Sequence, residues 1–421
     1  MSAKKVRLVF ASALLISLFA WSNDGVFYAS GNQLIPISET DISVKKEILT
    51  VNRIGDSVQV TVYYEFFNPA AEKEVLVGFE AQPPSVDFNF TTAKRFPGHP
   101  YMSDFKVVMN GESLPYEIAH VPLGYDNHGN QKVSGYYVDG KIKSASIQEL
   151  GLEEWLANGD DDALEHPMYV YHFKARFRPG LNIIQHTYNY EMSYSQLPIF
   201  VMYFAADFQY VLTAANRWAN NGIDDFTLNI NMGDHTSFNL FPMFFKSADE
   251  WDIHGKGKYV IDAQPDANME YTMKYLTKGQ QGIHYHMQNG MLSFHKENFH
   301  PEGDLYINEI RFLSWEYPAW SRWEHPFDSS DTQNVMDCFR KEYFSLRLSD
   351  SNKETYRYES FTPNQRRILK NLPFAYRGNI FKDKTLQDFY ESADWYIPDP
   401  DYEADMQTLT PHEQQWVEFW K

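Results

Sequence analysis

His284-Tyr285-His286 sets two imidazoles on one face of a strand, and His295 and His300 follow. Neutral imidazoles at i and i+2 hold zinc when a third ligand converges, so His284 and His286 are the candidate metal ligands. They leave a metal-assisted hydrolase open as one function. No H-E-x-x-H helix accompanies them, so packing and hydrogen bonding on a strand are the ordinary use of such a pair. Cys338 is the only thiol and stands beside Phe339 in a helix predicted over Asn334 to Leu346. No acid-partnered His follows it at a nucleophile's spacing, so it reads as a packed thiol, and it has no partner for an intramolecular disulfide. Asp160, Asp161 and Asp162 are adjacent and cannot all face one ion, which makes them a solvated loop. Asp399, Asp401, Glu403 and Asp405 alternate and can invite calcium, but they lack the Gly of a tight loop, and Pro400 stiffens the run. Nucleophile elbows, phosphate-cradling Gly loops and CxxC pairs are absent, and no carboxylate pair stands out for glycosidase chemistry. No cofactor is expected, and the sequence names neither a substrate nor a reaction.

Two other groups suit binding. Trp315, Trp320 and Trp323 fall within nine residues, WEYPAWSRW, and can stack on the apolar faces of sugar rings or wedge two domains together. The stretch Leu372 to Tyr396 packs seven aromatics around Gly378, and Tyr376 and Arg377 are its expected exposed pair. Gly378 is expected to make a turn that a Cβ would obstruct.

The elements that must carry these groups follow from composition and period. The chain has 421 residues, 43% hydrophobic and 22% charged, a globular balance with room for two or three domains. A formal charge of -19 argues against nucleic acid as a partner, because phosphates are bound by clustered Lys and Arg. Lys4, Lys5 and Arg7, the apolar run Leu8 to Trp21 and the small residues around Ala20-Trp21-Ser22 describe a signal peptide over residues 1–22, with a mature start at Asn23. The expected product is exported, periplasmic or extracellular, without a membrane span after signal removal. With no Cys beside the cleavage site it is not a lipoprotein.

Val58 to Phe67 alternates as a half-buried strand does, and Asn68-Pro69 ends it before a return at Val75 to Phe79. Asn110-Gly111 predicts a hairpin between Phe105 to Met109 and Leu114 to Ile118. Pro179-Gly180 is read as closing a second hairpin between Tyr169 to Arg178 and Ile183 to Met192. Further strands are predicted near 226–232, 259–263, 291–295 and 305–313, and a capped helix near 146–158. After a boundary near Pro318 to Asp331, capping signals start helices at Thr362-Pro363 and Thr410-Pro411, with another over Lys384 to Ser392. Pro373 is expected to perturb or end the first of them. The fold class is therefore α+β. A large mainly-β, sandwich-like region over 23–315, in one or two subdomains, is followed by a linker and helix over 316–345 and a small all-α domain over 346–421.

The opening NDGVFYASGNQLIPISETDISVKKEILTV, the pair ending Val75 to Phe79 and the block Tyr210 to Leu228 resemble exported bacterial proteins of the domain-of-unknown-function family forty-four twenty-four. That resemblance implies secretion and a β-rich fold, and carries no catalytic residues. From about Ser360 to Lys421 the chain resembles the YARHG domain of bacterial exported proteins. The residues are Phe374-Ala375-Tyr376-Arg377-Gly378, then Ile380-Phe381-Lys382, Leu386-Gln387 and Asp394-Trp395-Tyr396 with Pro398. Phe374, Tyr376 and Arg377 stand at the Tyr, Arg and His places of the family signature. The resemblance implies a cell-wall-associated or binding module, and hence wall glycan, peptide or an envelope protein as partner.

Overall fold

The structure is a computed structural model that describes residues 31–36, 41–55, 57–81, 102–121, 123–125, 131–133, 137–138, 141–142, 168–196, 203–234, 236–261, 282–312, 363–392, 396–409 and 411–421. The signal segment expected over 1–22, the helix expected near 146–158, Trp315, Trp320, Trp323 and the helix expected to bear Cys338 lie outside the described residues. What is described is α+β: a β body followed by a small helical region.

The first strands are β1 (Gly31–Pro36), β2 (Ser43–Ile54), β3 (Ser57–Asn68), β4 (Lys73–Ala81), β5 (Met102–Met109), β6 (Glu112–Ser113) and β7 (Glu117–Val121). Four short strands, β8 (Leu123–Tyr125), β9 (Gln131–Val133), β10 (Tyr137–Val138) and β11 (Lys141–Ile142), make two separate ribbons. Then come β12 (Met168–Phe177), β13 (Gly180–Glu191), β14 (Ser193–Gln196), β15 (Tyr203–Tyr210), β16 (Ile223–Asn231), β17 (Thr236–Leu240), β18 (Trp251–Ile261), β19 (Ile283–Phe299) and β20 (Leu305–Phe312).

A four-stranded sheet, β1-β4-β12-β7, faces a twelve-stranded one running β14-β15-β20-β17-β19-β16-β2-β3-β13-β5-β6, with β18 added beside β19. The alternation in β3 holds: Val58, Val60, Val62, Tyr64 and Phe66 are all buried on one face. They meet the second layer through aromatic contacts, Phe66 against Phe177 of β12 at 5.6 Å and Tyr188 of β13 against Phe79 of β4 at 5.6 Å. This is the sandwich arrangement, two inner faces closing one core.

Two expected hairpins are corrected. Asn110 and Gly111 do take the positive φ values of a two-residue turn, 53° and 87°. The return strand is only Glu112–Ser113, and Glu117–Val121 leaves for β12 in the other sheet. Likewise β12 and β13 do not pair; β12 joins β4 and β7, whereas β13 joins β3 and β5. The chain at Pro179-Gly180 is an arch between layers. The buried Asn182 holds it by accepting from Arg178 N and donating to the carbonyls of Arg178 and Gly180, work that a hairpin's ladder would do.

Among the described residues the large sheet has one parallel pair, β2 with β16. A register shift in β2 between Val44 and Lys46 turns Lys45 and Lys46 outward together, and they pair with Asp224 and Asp225 of β16, each at 2.7 Å. The helical region comprises α1 (Pro363–Tyr376), α2 (Lys384–Glu391) and α3 (Pro411–Phe419). Of the two outcomes expected at Pro373, a perturbed helix or an ended one, α1 shows the first: it runs on to Tyr376. A proline removes the N–H that would have bonded the carbonyl four residues back, here Leu369. The Trp416 indole N–H of α3 donates to that carbonyl at 2.6 Å and replaces the lost bond.

Candidate functional site

β19 has β18 along one edge and β16 followed by β17 along the other. At its N-terminal end Ile283, Tyr285 and Met287 enter the core, which turns His284 and His286 to the opposite face. β17 places a polar residue directly across from each, Asn239 from His284 and Ser237 from His286. His284 Nδ1 bonds Asn239 Oδ1 at 2.5 Å and His286 Nδ1 lies 2.8 Å from Ser237 Oγ. The two rings meet edge to face, 4.3 Å apart at 77°. Burial first, then His284 and the Lys258 ammonium, hold the His286 imidazole well below its usual range, so it is neutral at pH 7. Among the described residues no group of three or more His, Cys, Asp or Glu side chains assembles to hold a metal ion.

The contacts continue across the sheet, one residue per strand. Asn239 Nδ2 donates to Asn308 Oδ1 of β20 at 3.1 Å, and Asn308 Nδ2 donates to Asp207 Oδ1 of β15 at 2.5 Å. His284, Asn239, Asn308 and Asp207 are direct cross-strand partners, so strand register builds the row. Asn308 is fully buried. Burial pushes the Asp207 carboxyl up to about 6, against the lowering pull of hydrogen bonds from Asn308 and Tyr306. The row runs from an imidazole to a carboxylate with every amide donating the same way. The histidine pair stood out in the sequence; Asn239, Asn308 and Asp207 did not, since each is an unremarkable polar position of an alternating strand.

In the helical region α1 ends in a Schellman motif, with Gly378 N bonding Ala375 O and Asn379 N bonding Phe374 O. Gly378 has φ +85°, and a Cβ there would lie 2.5 Å from Ile397 O, so the expected turn is present. Arg377 is not the exposed side chain expected. Its guanidinium makes a bidentate pair with Glu413 in the first turn of α3, at 2.8 and 2.7 Å, and also donates to Pro373 O. The two side chains are 17% and 14% exposed, so the residue at the signature His place clamps α1 to α3. Tyr376 beside it is half-buried. Asp399 pairs with Lys256 of β18, linking the helical region to the body, and Asp405 caps the short turn at Met406–Thr408. Those two acids of the alternating run thus have structural partners.

No curated protein matches the chain. Among solved structures, a protein of Legionella pneumophila subsp. pneumophila str. Philadelphia 1, provisionally described as nutrient-binding, aligns at 16% identity over 93% of this chain and 98% of its own. With a TM-score of 0.42, the overlap is too loose to define a shared fold. Residues 341–421 match the YARHG domain family, starting earlier than the signature alone suggests, and this C-terminal part of the chain is a YARHG domain.

Proposed function

We propose that this is an exported, non-catalytic envelope protein that binds wall glycan, peptide or a protein partner through its β body and its YARHG domain. The observation that carries the reading is the YARHG domain at 341–421, a module typical of exported proteins. The basic and apolar residues 4–21 agree with it, as does the resemblance of 23–315 to the domain-of-unknown-function family forty-four twenty-four. Among the described residues no helix is long and apolar enough to cross a membrane. Binding residues are proposed at Trp315, Trp320 and Trp323, and at Tyr376 rather than Arg377, whose guanidinium is engaged by Glu413.

The test is retention of the full mature chain on peptidoglycan and on surface polysaccharide, together with crosslinking to envelope proteins in the producing cell. Retention on one of these, reduced by Trp320→Ala or Tyr376→Ala with the fold intact, is the expected result. A chain that stays in the cytoplasm, or one that is captured by none of them, overturns the reading.

A further inference from the structure

We propose that the outward face of the large sheet, across β19, β16, β2, β3 and β13, is a docking surface for an uncharged polysaccharide laid across the strands. This choice of glycan rests on the envelope-binding reading and adds a surface apart from the tryptophans and Tyr376. Register builds it. Cross-strand pairing lines up Ser293, Asn229, Thr50, Thr61 and Thr187 in one transverse row. The row beside it holds Asn231, Asn52, Gln59 and Asn189. Leu49, Val51, Val60, Val62 and Tyr188, their neighbours along the strands, are buried in the core, so by alternation the nine polar side chains point the other way. None of the nine is buried.

A solvated sheet face is ordinarily polar, and ordinarily charged as well. On a typical surface nine positions would carry about two or three charges. Here they carry none, in a chain with 56 acidic and 37 basic residues. Charges border the rows in opposite pairs: Lys46 with Asp225 on one side, and at the β5 rim Lys106 and Asp104, the latter accepting from Asn189. Every hydroxyl and amide in the rows both donates and accepts, as each sugar hydroxyl does. Several are already oriented by their neighbours: Thr61 Oγ1 lies 3.2 Å from Thr187 Oγ1, Ser293 Oγ donates to Asn229 Oδ1 at 2.9 Å, and Gln59 Nε2 to Asn189 Oδ1 at 3.3 Å. Strands stand about 4.8 Å apart, so a chain lying across them meets a fresh polar side chain at each step. Tyr63 adds a stacking surface next to Thr61. Its hydroxyl donates to Glu65 Oε1, two residues along the same strand, at 2.8 Å, which ties the ring down along β3 instead of letting it stand off the sheet. With its cross-strand partner Ile48 it makes an apolar spot suited to the C–H side of a sugar ring.

Other occupants fit less well. An extended peptide adds to a sheet at its edge, yet each of these five strands is paired on both sides and offers no free backbone. A protein partner needs an apolar centre, whereas the centre here is Thr50, Thr61 and Gln59. An anionic polymer meets a chain of formal charge -19 and finds no cation within the rows.

The experiment is affinity electrophoresis of the full mature chain in gels carrying a soluble uncharged β-glucan, the uncharged wall polysaccharide of the producing cell, or a polyuronate, with sedimentation of the chain alone. Retardation by at least one uncharged polysaccharide, unchanged between low and high salt, is expected, and none by the polyuronate. Tyr63→Ala should weaken binding about tenfold. Asn52→Ala should weaken it about threefold. Thr61→Lys, which sets a charge in the exposed centre, should abolish it, and urea unfolding of each variant should stay close to the parent's. Where Tyr63→Ala lowers stability, Thr61→Lys decides, since Thr61 is exposed. Retardation that falls with Trp320→Ala or Tyr376→Ala but is indifferent to all three sheet variants overturns this surface and leaves the envelope-binding reading intact. Crosslinking to an envelope protein without retardation by any uncharged polysaccharide does the same, and no capture of any kind overturns both. A dimer in sedimentation that Thr61→Lys dissolves assigns the face to a second copy of the chain and overturns the proposal too.

Discussion

His186 is the residue whose titration should be felt most strongly by the fold. β13 points it into the sandwich between Ile184 and Tyr188, where the rings of Tyr64, Phe79, Tyr188 and Phe105 lie 5.8, 6.0, 5.9 and 6.4 Å away. It is 2% exposed, and neither ring nitrogen has a hydrogen-bond partner among the described residues. Burial alone pushes its pKa from 6.5 down to about 3. The folded state thus refuses a proton that the unfolded chain accepts. The neutral imidazole is tolerated at and above pH 6.5, and stability is lost as pH falls from 6.5 towards 3. Each pH unit in that window is worth about 1.36 kcal/mol, so at pH 4.5 the loss is about 2.7 kcal/mol. His186→Leu removes the titrating group and its unpaired nitrogens while keeping an apolar side chain of similar size. Its stability at pH 7.5 should match or exceed the parent's, and its decline between pH 7.5 and 4.5 should be smaller by about 2–3 kcal/mol. Urea unfolding of parent and variant across that range measures the difference, and His286, present in both, cancels. Parallel pH profiles, or a His186 ring resonance titrating near pH 6.5 in the folded protein, would refute the reasoning.

Five substitutions test the helical region, each read by thermal unfolding and limited proteolysis of the full chain. Gly378→Ala should destabilise it by at least about 1–2 kcal/mol, since an L side chain at φ +85° is strained and its Cβ meets Ile397 O and Asp399 N. Arg377→Ala should lower stability by about 2–3 kcal/mol, less than a fully buried pair would lose, and a cycle with Glu413→Gln should show coupling of about 1–2 kcal/mol. Trp416→Phe should cost about 1–3 kcal/mol by stranding the Leu369 carbonyl, and Pro373→Ala should restore much of that by returning a backbone N–H to the carbonyl.

Most of the fold was legible because period and punctuation are local. Val58 to Phe66 announced β3, Asn110-Gly111 announced the turn after β5, and the capping signals at Thr362-Pro363 and Thr410-Pro411 announced α1 and α3. What was not legible was pairing. Pro179-Gly180 looks the same to its neighbours whether the chain folds back beside itself or crosses to the facing sheet, and the deciding residue, Asn182, acts by bonding the corner's own backbone. The parallel match of β2 with β16 depends on Lys45 and Lys46 meeting Asp224 and Asp225 some 179 residues later. Whether Pro373 would end α1 or only perturb it was left open for a similar reason, since the group that satisfies the orphaned Leu369 carbonyl lies 47 residues away.

The candidate site divides along the same line. His284 and His286 announce themselves by type and spacing, but what orients them is scattered over β17, β20 and β15, at positions where an alternating strand is free to carry any polar residue. Register alone turns Asn239, Asn308 and Asp207 into a row. Sliding β20 by one residue would set Ile307 opposite Asn239 and send Asn308 towards the apolar core, because side chains alternate between faces with period two. Two amides and a carboxylate would then lose their partners in a buried setting, a penalty far larger than any gain from a shifted backbone ladder. The row therefore fixes the pairing of four strands. An Asn308→Leu variant, which strands the Asn239 amide and the Asp207 carboxyl, should markedly destabilise the β body in urea unfolding, and parent-like stability would refute the register argument.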